Sequence, residues 1–155
     1  MELKGKQIHF IGVGGIGMSA LAQLVADQGA VVSGCDREAA PTTELLEKKG
    51  IMVAIGHAAE HVAADTRLLI YSDAVPEDNP ERARAKELGI EQFSYFAMLG
   101  KISEGKKTIA VAGTHGKTTT TGMLAASASS SETAYLTWKV ARSFGMLVFD
   151  NQARV

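Results

Sequence analysis

The chain has 155 residues, a formal net charge of -1, 46% hydrophobic residues and 21% charged residues. This balance is typical of a folded globular protein, and the near-neutral charge excludes the basic surface that nucleic-acid binding requires. No apolar run approaches the roughly 18 residues that span a bilayer, and a single cysteine cannot form an internal disulfide. We therefore predict a cytoplasmic protein with no nucleic-acid partner and no membrane partner.

Short apolar runs alternate along the chain with longer segments of helical period. The predicted strands cover residues 8–13, 31–35, 51–55, 68–72, 90–93 and 108–112. Helices are predicted after the first strand up to Gly29, over residues 43–49 up to Gly50, and from Pro80 to Gly89, each closed by a glycine. Alternation of this kind predicts an α/β fold, specifically a Rossmann-like doubly wound parallel sheet.

The first predicted strand leads directly into a glycine-rich turn and then into a helix. Residues 12–17 have the spacing Gly-x-Gly-x-x-Gly, and Asp36 closes the second strand about 20 residues later. The turn would bring backbone N–H groups close to a diphosphate at a helix N-terminus, and Asp36 would accept ribose hydroxyls. Two alternatives stay open. The glycines could serve only the close packing of the helix on the strand, or the turn could bind a nicotinamide dinucleotide.

A second anion-binding motif follows the last of these strands. Residues 113–119, Gly-Thr-His-Gly-Lys-Thr-Thr, contain the Gly-Lys-Thr core of a P-loop, although Val111 occupies the position of the usual first glycine. Lys117 would contact the β- and γ-phosphates of ATP, and the Thr118 hydroxyl would ligate Mg2+. The segment therefore predicts the start of a P-loop ATPase domain, and a chance match in a surface loop is the alternative.

Composition divides the chain into three parts. We predict a Rossmann-like domain at residues 1–105, the first strand and P-loop of an ATP-binding domain at 106–125, and an atypical tail at 126–155. In the tail, Leu136, Val140 and Phe144 recur at helical spacing, and residues 146–149 could form a strand. These apolar residues need a partner surface, and a homodimer formed through the tail is one hypothesis.

Most of the other ionisable residues have no evident chemical role. The histidines (His9, His57, His61 and His115) show no metal-binding spacing, so structural or loop roles are expected, with ligand contact an even alternative for His57 and His115. Cys35 is interpreted as a buried small hydrophobic residue. The charged residues 81–87 are interpreted as a solvated helix face.

Six blocks of sequence resemble the Mur ligase family, and within it the ligases that add L-alanine. They are residues 8–19 (IHFIGVGGIGMS), 32–36 (VSGCD), 56–57 (GH), 71–74 (YSDA), 78–81 (DNPE) and 110–121 (AVAGTHGKTTTT). The similarity covers roughly residues 4–125. It implies a peptidoglycan-precursor enzyme of three domains, in which the first domain binds the UDP substrate, the central domain binds ATP and Mg2+, and the last domain helps to bind the amino acid.

The resemblance also implies a reaction and its residues. The family member would join L-alanine to UDP-N-acetylmuramate through an acyl phosphate, releasing ADP and phosphate. Contacts with the UDP-sugar would come from Gly12, Gly14, Gly15, Ile16, Gly17, Met18, Asp36 and Ser72. Contacts with ATP would come from Gly113, Thr114, His115, Gly116, Lys117, Thr118 and Thr119, with Lys117 catalytic and Thr118 on Mg2+.

Two departures from the family pattern limit these expectations. Asp73 stands where the family commonly has serine, which could weaken nucleotide binding, and the resemblance ends at about residue 126. We therefore expect a truncated chain that is inactive as a ligase and limited to UDP-sugar binding. The alternatives are a dinucleotide-binding module of the NAD type and a non-catalytic interaction domain.

Overall fold

The computed structural model describes residues 2–104, 107–111, 119–120, 122–123 and 146–149. The chain divides into two compact units, Met1–Leu99 and Gly100–Val155. The domain bounds proposed from the sequence stay a prediction. Within the described ranges, no helix is long and apolar enough to cross a membrane.

The first unit is built on a five-stranded parallel sheet. Its strands are β1 (Gln7–Ile11), β2 (Val31–Asp36), β3 (Met52–Ile55), β4 (Leu68–Tyr71) and β5 (Glu91–Ser94). They are ordered β3-β2-β1-β4-β5, and every neighbouring pair is parallel. The α/β class and the Rossmann-like doubly wound sheet predicted from the sequence are confirmed.

Four helices connect and follow these strands. They are α1 (Ile16–Asp27), α2 (Pro41–Lys48), α3 (Pro80–Glu87) and α4 (Tyr95–Ser103), and a short 3-10 turn covers Ala59–His61. The three predicted helices are confirmed, and the glycines that follow them have positive φ angles: 87° at Gly29, 80° at Gly50 and 66° at Gly89. Left-handed glycines therefore end these helices, as the sequence indicated.

Helix α4 was not predicted, although its sequence carries the necessary signal. Tyr95, Met98, Leu99 and Ile102 follow the spacing i, i+3, i+4, i+7, and all four are buried. The helix directly follows β5 without an intervening loop, so no turn residues marked where it begins.

The core lies around the central strand β1. Ile8, Phe10 and Ile11 are almost completely buried there, as are Leu21 and Val25 of α1. Burial on both faces is typical of a parallel sheet whose crossover helices cover each side.

The second unit contains an antiparallel pair of strands, β6 (Lys107–Ala110) and β7 (Met146–Phe149). The predicted strand at 146–149 is confirmed, and the predicted strand at 108–112 corresponds to β6, which covers Lys107–Ala110. The predicted P-loop residues 113–118, the predicted helix around 136–144 and the proposed pairing of two tails fall outside the described residues.

Strands β1 and β2 approach each other closely at Gly34. A Cβ atom on this residue would lie 2.9 Å from the carbonyl oxygen of Phe10 and 3.0 Å from the Cβ of Val13. The first neighbour is a main-chain atom and the second is the first atom of a side chain, so neither can move without a shift of the backbone. Glycine is therefore required for the packing of the sheet against the turn that follows β1.

We expect Gly34→Ala to lower the free energy of unfolding by about 1–3 kcal/mol, because the added methyl group overpacks a rigid contact. Gly100→Ala is the matched control. A Cβ at Gly100, in α4, meets no atom of the described residues within 4 Å, so this change should be neutral or raise stability by up to about 1 kcal/mol. Urea unfolding of both variants tests the prediction, and equal stabilities would contradict it.

Candidate functional site

A cleft of about 670 Å³ lies at the carboxyl edge of the parallel sheet. Its walls include Gly12 and Gly15 after β1, Asp36 at the end of β2, His57 after β3, and Ser72 after β4. Strands β1 and β4 are neighbours although they are not consecutive. The cleft therefore lies at the topological switch point, where open α/β sheets bind their ligands.

The glycine turn is fixed by hydrogen bonds to β2. The N–H groups of Gly12 and Val13 both donate to the carbonyl of Cys35, at 2.9 and 3.0 Å. Gly12 has a φ of 79°, and a Cβ there would lie 3.0 Å from the Cβ of Ser72. Glycine is needed at this position for both its conformation and its close approach to the segment after β4.

Helix α1 begins directly at the cleft. Its N-cap, Gly15, has no side chain that could cap the first turn, and this residue lines the cleft. The first N–H groups of a helix lack intrahelical partners and carry positive partial charge, so such an end favours an anion.

Asp36 holds the glycine turn as well as lining the cleft. Its Oδ2 accepts a hydrogen bond from the Gly14 N–H at 2.7 Å, and the Thr42 hydroxyl donates to the Gly14 carbonyl at 2.6 Å. A Cβ on Gly14 would lie 2.8 Å from Oδ2 of Asp36. The turn is thus shaped in advance by the end of β2 and by the first turn of α2.

The remaining predicted site residues differ in their exposure. The side chain of Ile16 is 62% exposed, whereas Met18 is only 4% exposed and packs in the core. Any ligand contact of Met18 would therefore come from its backbone. Asp73 is exposed. Thr119 is helical and exposed, and the other predicted ATP and Mg2+ residues, Lys117 and Thr118 among them, fall in the part of the chain that the structure does not describe.

A buried ionic cluster lies beside the cleft and centres on Glu81, the second residue of α3. The interpretation of residues 81–87 as a solvated face is wrong at this position, because Glu81 is completely buried. Its Oε2 lies 2.9 Å from Nε2 of His9 and accepts a hydrogen bond from the Cys35 thiol, also at 2.9 Å. Cys35 is buried, as expected, but its thiol is engaged in polar contacts.

The other oxygen of Glu81 faces the segment between β3 and β4. Oε1 accepts a hydrogen bond from the Ala58 N–H at 3.2 Å and lies 3.1 Å from Nδ1 of His61 and 3.4 Å from Nδ1 of His57. Sequence spacing gave no sign of such a cluster, because its members come from four separate segments that meet only in the fold. The signal that could have been used was that His9 in β1 and Cys35 in β2 are polar side chains within two largely apolar strands.

Electrostatics agree with a charged carboxylate at Glu81. Burial alone would raise the pKa of this group, but hydrogen bonds from His9, Cys35 and His61 outweigh it and lower the pKa to about 2. Burial, together with the hydrogen bond to Glu81, raises the pKa of the Cys35 thiol. The thiol therefore keeps its proton and donates a hydrogen bond to the carboxylate.

The parallel sheet, the glycine turn and the cleft at the switch point define a domain of the Rossmann-like class. Comparison with protein families makes the assignment specific: residues 7–107 match the model described as "Mur ligase family, catalytic domain". The chain belongs to the Mur ligase family, and the resemblance seen in its sequence is confirmed.

Individual relatives agree with this assignment. A UDP-N-acetylmuramate–L-alanine ligase from Streptomyces coelicolor is 52% identical over 121 residues, which are 78% of this chain and 26% of the relative. One from Clostridium kluyveri is 46% identical over 123 residues, or 79% of this chain and 27% of the relative. The chain thus spans about a quarter of the length of these curated relatives.

Solved structures show the same similarity. A UDP-N-acetylmuramate–alanine ligase from Thermotoga maritima is 40% identical with a TM-score of 0.71, over 77% of this chain and 28% of that one. A UDP-N-acetylmuramate:L-alanyl-γ-D-glutamyl-meso-diaminopimelate ligase from Neisseria meningitides is 33% identical with a TM-score of 0.71, over 78% and 38% of the two chains.

Tyr95 explains why Gly17 must be glycine. A Cβ on Gly17 would lie 2.7 Å from the Tyr95 hydroxyl oxygen and 2.9 Å from its Cζ. The hydroxyl is buried and has no hydrogen-bond partner among the described residues, and burial raises the pKa of Tyr95.

We expect Gly17→Ala to lower the free energy of unfolding by about 1–3 kcal/mol through overpacking. Tyr95→Phe should instead raise it by about 1 kcal/mol, because it removes a buried hydroxyl without a partner. In the Tyr95→Phe background, Gly17→Ala should lower the free energy of unfolding by less, but still measurably, since Cζ of residue 95 stays close to the added methyl group. Thermal unfolding of the three variants measures this, and additive effects would contradict the contact.

Proposed function

We propose that the Met1–Leu99 unit binds UDP-N-acetylmuramate, as the substrate-binding part of a ligase that joins L-alanine to it. The observation that carries the proposal is the cleft at the switch point, whose wall on the β1 side consists of Gly12 and Gly15. The names of the relatives identify the substrate class, and the identity of about half of the residues supports its transfer to this chain.

The glycine turn suits the diphosphate of such a ligand. Gly12 and Gly15 place no side chain between the backbone and the cleft, and the uncapped N-terminus of α1 lies beside them. Backbone N–H groups of residues 15–18 would then donate to phosphate oxygens, while the Gly14 N–H stays bonded to Asp36. The close contacts at Gly14 and Gly17 show that bulkier residues would disturb this turn.

The carboxylates that line the cleft suit the nucleoside or the sugar. Asp36, Glu38 and Asp78 line the cleft together with one cationic side chain, Arg37. Carboxylates accept hydrogen bonds but repel phosphates, so they match ribose and sugar hydroxyls better than a diphosphate. Asp36 and Ser72 would therefore lie near the nucleoside, with the diphosphate at the glycine turn.

The ligation itself belongs to the longer enzyme of which this unit would form a part. We propose that it uses ATP and Mg2+ in peptidoglycan precursor synthesis in the cytoplasm and forms ADP. Residues 113–119 would bind ATP, with Lys117 on the transferred phosphoryl group and Thr118 on Mg2+. We expect the isolated chain to bind the UDP-sugar without ligating it.

Calorimetric titration of the chain with UDP-N-acetylmuramate, with NAD in parallel, tests the proposal. Saturable heat is expected with the UDP-sugar alone. Gly15→Ala should weaken binding by about tenfold or more, because its methyl group would enter the space at the glycine turn where the diphosphate is proposed to lie. Gly15 has a φ of -60°, and a Cβ there meets its nearest atom at an ordinary 3.6 Å. The substitution should therefore leave the fold intact.

Gly100→Ala serves as the control, since Gly100 does not line the cleft, and it should bind as the unmodified chain does. Heat with NAD alone would replace the UDP-sugar by a dinucleotide as the proposed ligand of the cleft. Silence with both ligands from a chain that is folded by circular dichroism would contradict binding by this unit.

A further inference from the structure

We propose that His9, Cys35 and Glu81 form a site for a transition-metal ion, with Zn2+ the best-suited metal and His57 as the fourth ligand. The three side chains come from β1, β2 and the first turn of α3. Their ligand atoms, Nε2, Sγ and a carboxylate oxygen, all lie within 4.8 Å of one another. All three residues are buried.

The donor atoms lie close together, and a tetrahedral ion would require them to move slightly apart. Ligand atoms bound to Zn2+ at its usual bond lengths are about 3.3–3.8 Å apart. Here Nε2 of His9 and Sγ of Cys35 each lie 2.9 Å from Oε2 of Glu81. Binding would therefore require these atoms to move apart by several tenths of an ångström.

The chemistry of the donors selects the class of metal. Nitrogen, sulfur and oxygen together favour Zn2+ or a related transition metal, whereas Mg2+ and Ca2+ require sets made mainly of oxygen. On binding, the metal would replace the proton of the Cys35 thiol, which leaves to solvent. The proton on Nε2 of His9 would move to Nδ1, from which it is donated to the Ser33 hydroxyl. No electron is transferred.

The orientation of His9 is set by a second hydrogen bond. Its Nδ1 lies 2.9 Å from the Ser33 hydroxyl, so its Nε2 is directed toward Cys35 and Glu81. Metal-binding histidines are commonly oriented by a partner on the other ring nitrogen. Ser33 therefore acts as a positioning residue in the proposed site.

His57 lies on the cleft side of the group and offers a path for the ion. It would have to move closer to act as the fourth ligand, since it is not among the three residues whose ligand atoms are mutually close. Its Nδ1 lies 3.3 Å from Sγ of Cys35 and 3.4 Å from Oε1 of Glu81. Its side chain is 23% exposed and lines the cleft, so an ion can enter at this side. A bound metal would fix the position of His57 in the cleft wall.

The competing explanation is that these groups form only a hydrogen-bond network that satisfies a buried carboxylate. Cobalt titration of the chelator-treated full chain distinguishes the two explanations. Co2+ bound to a thiolate gives a near-ultraviolet charge-transfer band, and Cys35 is the single cysteine of the chain. We expect this band, its loss in Cys35→Ser, and its removal by stoichiometric Zn2+.

Matched variants locate the other ligands. Glu81→Gln should weaken Zn2+ binding by at least about 100-fold, and Ser33→Ala by about 10–100-fold. Glu87→Gln makes the same chemical change at an exposed position of the same helix and should bind Zn2+ as the unmodified chain does. Circular dichroism of each variant verifies its fold, and the cobalt spectrum of the unmodified chain is decisive where a variant fails to fold.

Two results would overturn the proposal. One is the absence of a thiolate band from the folded, unmodified chain at saturating Co2+. The other is unchanged Zn2+ affinity in folded Glu81→Gln, which would place the metal elsewhere. Neither measurement involves a nucleotide, so the outcome is independent of UDP-sugar binding.

Discussion

The buried carboxylate of Glu81 is the constraint on which the carboxyl edge of the sheet depends. It joins α3 to β1 through His9, to β2 through Cys35, and to the segment after β3 through Ala58 and His61. An unpaired charge at such a site would cost several kcal/mol, so its hydrogen bonds offset a large desolvation penalty. Its place in the first turn of α3 adds a favourable interaction with the helix dipole.

The cleft takes its shape from two sets of contacts at this edge. On the β1 side, Asp36 and the backbone of Cys35 hold the glycine turn. On the other side, Glu81 lies within 3.4 Å of His57, which lines the cleft. Cys35 takes part in both sets, through its carbonyl and through its thiol. The ligand cleft and the buried cluster are therefore built on the same few residues of β2.

Local features could be predicted from the sequence, and contacts between distant segments could not. Glycines that end helices, such as Gly29, act through their own backbone, and the turn at residues 12–17 is contiguous, so both were predicted. Helix α4 was missed although its apolar spacing was visible, because no turn separates it from β5. Glu81 was misjudged because its charged neighbours suggest solvent, while its burial depends on His9, 72 residues away in the chain.

The fold alone cannot choose between a UDP-sugar and a dinucleotide, since both suit a glycine turn at a switch point. Charge placement limits where the diphosphate of either ligand could lie. Asp36 uses Oδ2 to hold Gly14, so its negative charge stays next to the turn and would direct a diphosphate toward Gly15 and the N-terminus of α1. The other carboxylates that line the cleft, those of Glu38 and Asp78, would then suit hydroxyl-bearing parts of a ligand. A UDP-sugar and a dinucleotide each carry a central diphosphate flanked by hydroxyl-bearing sugars, so this placement of charge orients either ligand without choosing between them.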